Sequence, residues 1–409
     1  MAHASLIVRN AQVLLPSGEI APRDVALSNG KIAAVGSELS EARLEPNKTG
    51  VIDGSGLTML PGVIDPCVHF EEFEQAGEDL FAATCACVKG GITSFLEVSD
   101  GLLVTSQGGL EQKLAIAASQ SLANYGFFAT ATANNLLELQ AVNSTCGIRI
   151  PKHLLDAALL EDATIEPIFA LGDRLIATSA NSPNVAKLAL ALSKKYQRRL
   201  HLSQLSAGED AELLRRDKPS WVTAEVTPQH LLLDANAYED TEIVGMQTPE
   251  NLPLQSERDR ELLWQALLDG VIDFIATDHR SPARAERPQK PSGFGIPGAE
   301  TALPLMLTQA KENRCTVAQV SSWMSTAVAQ AYQIASKGLI EPGYDADLVL
   351  VDLTTYRPVL REELKASARS PFEGWTLTGW PVVTLLGGQI VYNRGEINQS
   401  VRGQALAFE

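Results

Sequence analysis

The segment Leu60-Pro61-Gly62-Val63-Ile64-Asp65-Pro66-Cys67-Val68-His69 decides how this chain is read. After a Pro-Gly pair it is a short, largely apolar run, the pattern of a strand buried on both faces. It ends on a cysteine and a histidine, two side chains that carry chemistry. Strand candidates of this kind recur along the middle of the chain, at 62–69, 92–98, 127–133, 147–150, 175–180, 199–205, 221–227 and 271–278. Helical patterns lie between several of them. In one, Ser256 is placed to cap a helix that carries Leu262, Leu263, Ala266 and Leu267 on one face. Eight strand–helix units predict a (β/α)8 barrel, with a doubly wound open sheet as the runner-up.

Both ends of the chain are β-rich instead. Residues 6–15 form an apolar run, and 25–27 and 31–35 flank Asn29-Gly30, a hairpin signal. Near the C-terminus, 348–353 reads as a buried strand, and 382–386 and 389–392 flank Gly387-Gly388. The expected organisation is a small β domain built from 1–58 and 340–409 around a barrel at 59–339.

The 409 residues include 33 Lys and Arg against 49 Asp and Glu, a net charge of −16. Such an acidic chain is a poor binder of nucleic acid or of anionic membranes. No apolar run reaches the ~18 residues of a membrane span. The first eighteen residues lack the apolar core and cleavage site of a signal peptide. The five cysteines, Cys67, Cys85, Cys87, Cys146 and Cys315, are an odd set and point to a reducing cytoplasm.

Taken in order, further motifs resemble the dihydroorotase branch of the amidohydrolase superfamily. The 60–69 segment resembles its first-strand motif. Glu78-Asp79, Gly90-Gly91-Ile92-Thr93 and Glu225-Val226-Thr227-Pro228-Gln229-His230-Leu231 follow. Asn251-Leu252-Pro253-Leu254, Ala276-Thr277-Asp278-His279, Gly295-Ile296-Pro297-Gly298-Ala299-Glu300-Thr301, Gly343-Tyr344-Asp345-Ala346-Asp347-Leu348 and Pro371-Phe372-Glu373-Gly374 complete the series. The resemblance spans nearly the whole chain. It implies a TIM barrel of the metal-dependent hydrolase type with a small β-sandwich domain. It also implies cyclic-amide hydrolysis or closure with one or two divalent metals, usually zinc. There, metal-activated hydroxide attacks the amide carbon and a strand-eight aspartate handles the proton.

The site positions depart from that pattern. Cys67 stands where the family has the first of two histidines, and only His69 remains. Arg149 stands at the bridging-ligand position, Ser179 at the strand-five histidine and Gln204 at the strand-six histidine. Arginine cannot form a carbamate ligand. Of the six implied ligands, His69 and Asp278 are left, fewer than the three a catalytic zinc takes. Substrate positions have changed too: Glu71 replaces an arginine, Asp100 an asparagine and Pro282 a histidine, and Gln255 an arginine of the loop that keeps Asn251. Two acids there would repel an anionic substrate.

Each remaining candidate has a plainer reading beside the sharp one. Cys67 is a soft ligand or nucleophile, or a buried small residue. Cys85 and Cys87, two apart on a helix, do not face each other. His201, His230 and His279 read as hydrogen-bonded core histidines. Asp278 reads as a working base, or as a vestigial carboxylate held by Arg149 or His69. The proline-rich loop 280–298, with Arg280, Arg284, Arg287 and Lys290, reads as a lid, a docking loop or a solvated loop.

The resemblance therefore implies a pseudo-dihydroorotase. Such proteins support aspartate transcarbamoylase in a hetero-oligomer for pyrimidine synthesis, and here no cofactor is expected. A homo-oligomer is an alternative assembly. The alternative function is a remodelled amidohydrolase with one zinc on His69, Asp278 and Cys67, and a ligand sensor is a third.

Overall fold

The computed structural model describes residues 5–37, 39, 50–70, 78–98, 102–160, 165–180, 182–239, 254–280, 296–364 and 370–409. The barrel strands are Val63–His69, Ile92–Glu97, Asn124–Phe127 with Ala129–Thr130, Ile148–Arg149, Ile176–Ser179, Leu200–Leu205, Val222–Val226, and Phe274–Ile275 with His279–Arg280. Paired neighbours are parallel throughout. The third and eighth strands are each in two pieces. One piece of each belongs to an arc of six strands and the other to an arc of four. The two broken strands therefore join the arcs into a closed ring, and the open-sheet alternative falls away.

Two strand limits differ from the sequence reading. The third strand starts at Asn124 rather than 127. In the structure Gly126 is a close approach: a Cβ there would meet Leu96 Cδ2 and Phe408 Cζ at 2.9 Å. The eighth strand runs on past 278, and Arg280 pairs with His69.

The ends of the chain build one nine-stranded sheet. Thr58–Pro61 sutures its halves, parallel to Leu6–Leu14 and antiparallel to Leu348–Asp352. The chain thus passes from sheet to barrel at Gly62 rather than after residue 58. Val8, Val25, Leu27, Met59, Leu348 and Leu385 meet in its core. Both hairpin signals form, with Asn29 and Gly30 at φ 51° and 76° and Gly387 and Gly388 at 53° and 72°. Ser256 caps its helix in a reciprocal pair with Asp259.

The C-terminal tail, assigned by sequence to the small domain, lines up with the third barrel strand. Leu406 N donates to Tyr125 O at 2.9 Å, and Tyr125 N donates to Gln404 O at 3.0 Å. Leu406 then packs with Phe128, Phe274 and Tyr332, closing the barrel where its strands begin. Among the described residues no helix is long and apolar enough to cross a membrane.

Candidate functional site

Asp65, Cys67 and His69 alternate along the first barrel strand, so all three point to one side of it. Asp65 fastens that strand to the eighth. Its carboxylate accepts from Thr277 N at 3.0 Å, from the Thr277 hydroxyl and from Cys67 N at 3.3 Å. Burial pushes the Asp65 carboxyl up to about 7 against these donors. Asp65→Ala should destabilise the fold by about 3 kcal/mol, since it strands buried donors. Asp65→Asn keeps an acceptor oxygen and should lose less, which urea denaturation of both variants checks.

The sixth strand near its end and the eighth between its two pieces carry left-handed backbone, at Gln204 (φ 61°) and Asp278 (φ 50°). Non-glycine residues seldom adopt this conformation, and such strain collects at functional sites. The two are partners: Gln204 Nε2 donates to Asp278 Oδ1 at 2.6 Å. Asp278 is 12% exposed, and its Oδ1 lies 3.0 Å from His69 Nε2 and 3.9 Å from Arg280 Nη2. Burial alone would raise its pKa, but His69, the Arg280 charge and Gln204 hold it below the usual carboxylate value. Arg280 Nη2 also lies 3.1 Å from His69 Nε2. One ring nitrogen cannot donate to Asp278 and accept from Arg280 at once, so the proton on Nε2 decides which bond forms.

Cys67 completes the group, its Sγ 3.8 Å from His69 Nε2 and 3.9 Å from Asp278 Oδ1. Burial, then the Glu225 and Asp278 carboxylates, push its thiol well above the usual range, against Arg149. A thiol kept protonated is a poor nucleophile. Arg149 and Ser179 line a cavity with Cys67, of about 10 Å³. That volume holds hardly one water. Of the two partners expected for Asp278, His69 lies within 3.0 Å of it, and the charge of Arg149 is felt at Cys67.

The three other candidate histidines, His201, His230 and His279, are buried and already engaged. His201 stacks on Phe274 at 4.9 Å, with Nε2 3.1 Å from Glu225 and Nδ1 3.0 Å from Thr223 Oγ1. His230 Nδ1 is 2.7 Å from Thr227 Oγ1, and His279 Nδ1 accepts from Ala299 N at 3.3 Å. Glu71, Asp100, Asn251 and Pro282 lie outside the described residues, as does most of the 280–298 loop. A larger cavity of about 530 Å³ shares no residue with this centre; it lies between Lys89, Arg357, Trp380 and Tyr392.

The donor set does not fit a pair of metal ions. Among the described residues the one group able to hold a metal is Cys67, His69 and Asp278, with ligand atoms within 4.8 Å of one another. Arg149 and Gln204 bring donors, not ligands, to the same space. The residue that sequence reading missed is Arg280, taken there as part of a basic loop. Its signal was available: it stands two residues after Asp278, the spacing that puts side chains on one face of a strand.

Residues 58–391 match the amidohydrolase family model. A dihydroorotase of Halalkalibacterium halodurans is 30% identical over 438 residues, covering 96% of this chain and 99% of its own. One of Listeria innocua is 31% identical over 432 residues, covering 95% and 99%. Among solved structures, the L-hydantoinase (dihydropyrimidinase) of Arthrobacter aurescens superposes with a TM-score of 0.84 at 23% identity, over 98% of this chain and 99% of that one. The dihydropyrimidinase of Brevibacillus agri gives 0.81 at 23% identity, over 96% and 95%. These two share the fold. A barrel closed by strands one and eight, a sheet built from both ends and relatives aligned over almost their full length agree: the chain belongs to the amidohydrolase family, on its dihydroorotase-like side.

Proposed function

We propose that this dihydroorotase-like protein has no hydrolase activity of its own and serves as a stabilising subunit for aspartate transcarbamoylase in pyrimidine synthesis. One observation carries the first half of this reading. The side chains that could hold a metal are met by Gln204 and Arg280, whose amide and guanidinium bring N–H donors to His69 and Asp278. A hydrolytic site needs water on a metal and an open position for substrate. The second half rests on the resemblance to pseudo-dihydroorotases, since a fold outlives its chemistry and takes other duties. The donor set lacks the ligands for the two-metal chemistry of the family.

The test uses the untagged full chain grown with added zinc. Elemental mass spectrometry should find well under one metal per chain, about 0.1 or less. The preparation should neither hydrolyse dihydroorotate nor close carbamoyl-aspartate. Aspartate transcarbamoylase from the same organism should co-elute with it and melt higher in its presence. Turnover of dihydroorotate would overturn the first half, and two independent elution peaks would overturn the second.

A second reading is favoured by the Cys67–His69–Asp278 group: an amidohydrolase with one metal, acting on a cyclic amide without a carboxylate. It requires one bound metal per chain, lost on mutating His69.

A further inference from the structure

Three ligand atoms at the barrel mouth stand close to the spacing of a zinc corner. Bonds of ~2.3 Å to sulfur and ~2.0–2.1 Å to nitrogen and oxygen, at tetrahedral angles, put sulfur ~3.6 Å from the other two and nitrogen ~3.3 Å from oxygen. Here Cys67 Sγ is 3.8 Å from His69 Nε2 and 3.9 Å from Asp278 Oδ1, and the last two are 3.0 Å apart. Thiol, imidazole and carboxylate suit a borderline-soft divalent cation. Yet a cation already lies against this triangle. Arg280 Nη2 is 3.1 Å from His69 Nε2 and 3.9 Å from Asp278 Oδ1, so it touches two of the three corners.

We infer that Arg280 is the resident cation of this centre and bars a divalent ion from a latent site at Cys67, His69 and Asp278. The inference deepens the proposed function and rests on its reading of the centre as metal-free. The backbone builds the arrangement. The eighth strand continues past Asp278, whose left-handed turn lets residue 278 meet Gln204 while residue 280 pairs with His69. A guanidinium keeps its charge at every pH the fold survives, so it repels a nearby ion throughout. Gln204 Nε2 adds a donor to Asp278 Oδ1, an oxygen an ion would need. Arg280 is 35% exposed, so removing it does not hollow the core. A divalent ion entering in its absence binds the Cys67 sulfur, whose proton passes to solvent.

The experiment exposes wild type, Arg280→Ala and Arg280→Ala/Cys67→Ser to cadmium, removes free ion and reads metal per chain and the ultraviolet thiolate-to-cadmium band. Wild type should keep about 0.1 ion or less and Arg280→Ala about one, with the band present. The double variant should lose the band and most of the ion. Should Arg280→Ala not fold, Arg280→Gln drops the charge at similar length and carries the same expectation. An Arg280 variant as empty as wild type overturns the inference and leaves the proposed function standing. A wild type that holds a full ion with Arg280 in place also overturns it. Hydrolysis of dihydroorotate by wild type overturns the proposed function whatever the cadmium result.

Discussion

Lys113→Met should destabilise the protein by about 3–5 kcal/mol, the loss expected when one partner of a buried ion pair is removed. Lys113 lies on the helix Gln107–Gln120 and is wholly buried. Its ammonium pairs with Glu97, at the end of the second barrel strand, and donates to Leu102 O at 3.1 Å. It also sits 5.0 Å from the centre of the Phe127 ring. Methionine fills the volume of the lysine stem but leaves the Glu97 carboxylate, 1% exposed, without that ammonium. The loss comes from a stranded charge rather than from a missing bond. Lys113→Met/Glu97→Gln should therefore recover a large share of it. Urea denaturation of the single and double variants checks both statements, and a single variant within about 1 kcal/mol of wild type would refute the first.

Acid should weaken the fold through two histidines. Burial lowers His230 to about 4, with Asp278 opposing. Burial, then the His69 charge, lowers His279 to about 4, again against Asp278. His279 Nδ1 accepts the Ala299 N–H, a bond that protonation of that nitrogen would break. Both rings stay neutral in the fold while the unfolded chain takes up their protons near 6.5. Between about 6.5 and 4 the unfolded state binds more protons, so stability falls as pH falls. Above about 6.5 the contribution is fully present, and below about 4 the loss is complete. Each histidine should contribute on the order of 3 kcal/mol across that window. His230→Gln should flatten the dependence by the share of one group. Urea midpoints of wild type and variant from pH 7 to pH 4.5 make the comparison, and parallel curves would sink the assignment.

Much of the fold was legible because burial writes a pattern into sequence. The 60–69 run and its seven counterparts are apolar since barrel strands are covered on both faces. Asn29-Gly30 and Gly387-Gly388 were legible because few residues tolerate positive φ in a tight turn. The start of the third strand was not, because the missing side chain of Gly126 makes room for Phe408, nearly 300 residues away. The C-terminal tail was misplaced for the same kind of reason: its strand partner, Tyr125, is distant in the chain.

The candidate site divides in the same way. The identities at 67, 69, 149, 179, 204 and 278 could be read against a family pattern. What fills the centre could not. The Gln204–Asp278 bond depends on two left-handed residues, and the place of Arg280 depends on how far the eighth strand runs. The sequence by itself determined the barrel and the two-ended sheet, since these follow from local pattern. Only the tertiary structure decided that a guanidinium and an amide stand against His69 and Asp278. That outcome is set by distances between strands far apart in sequence, which no local pattern encodes.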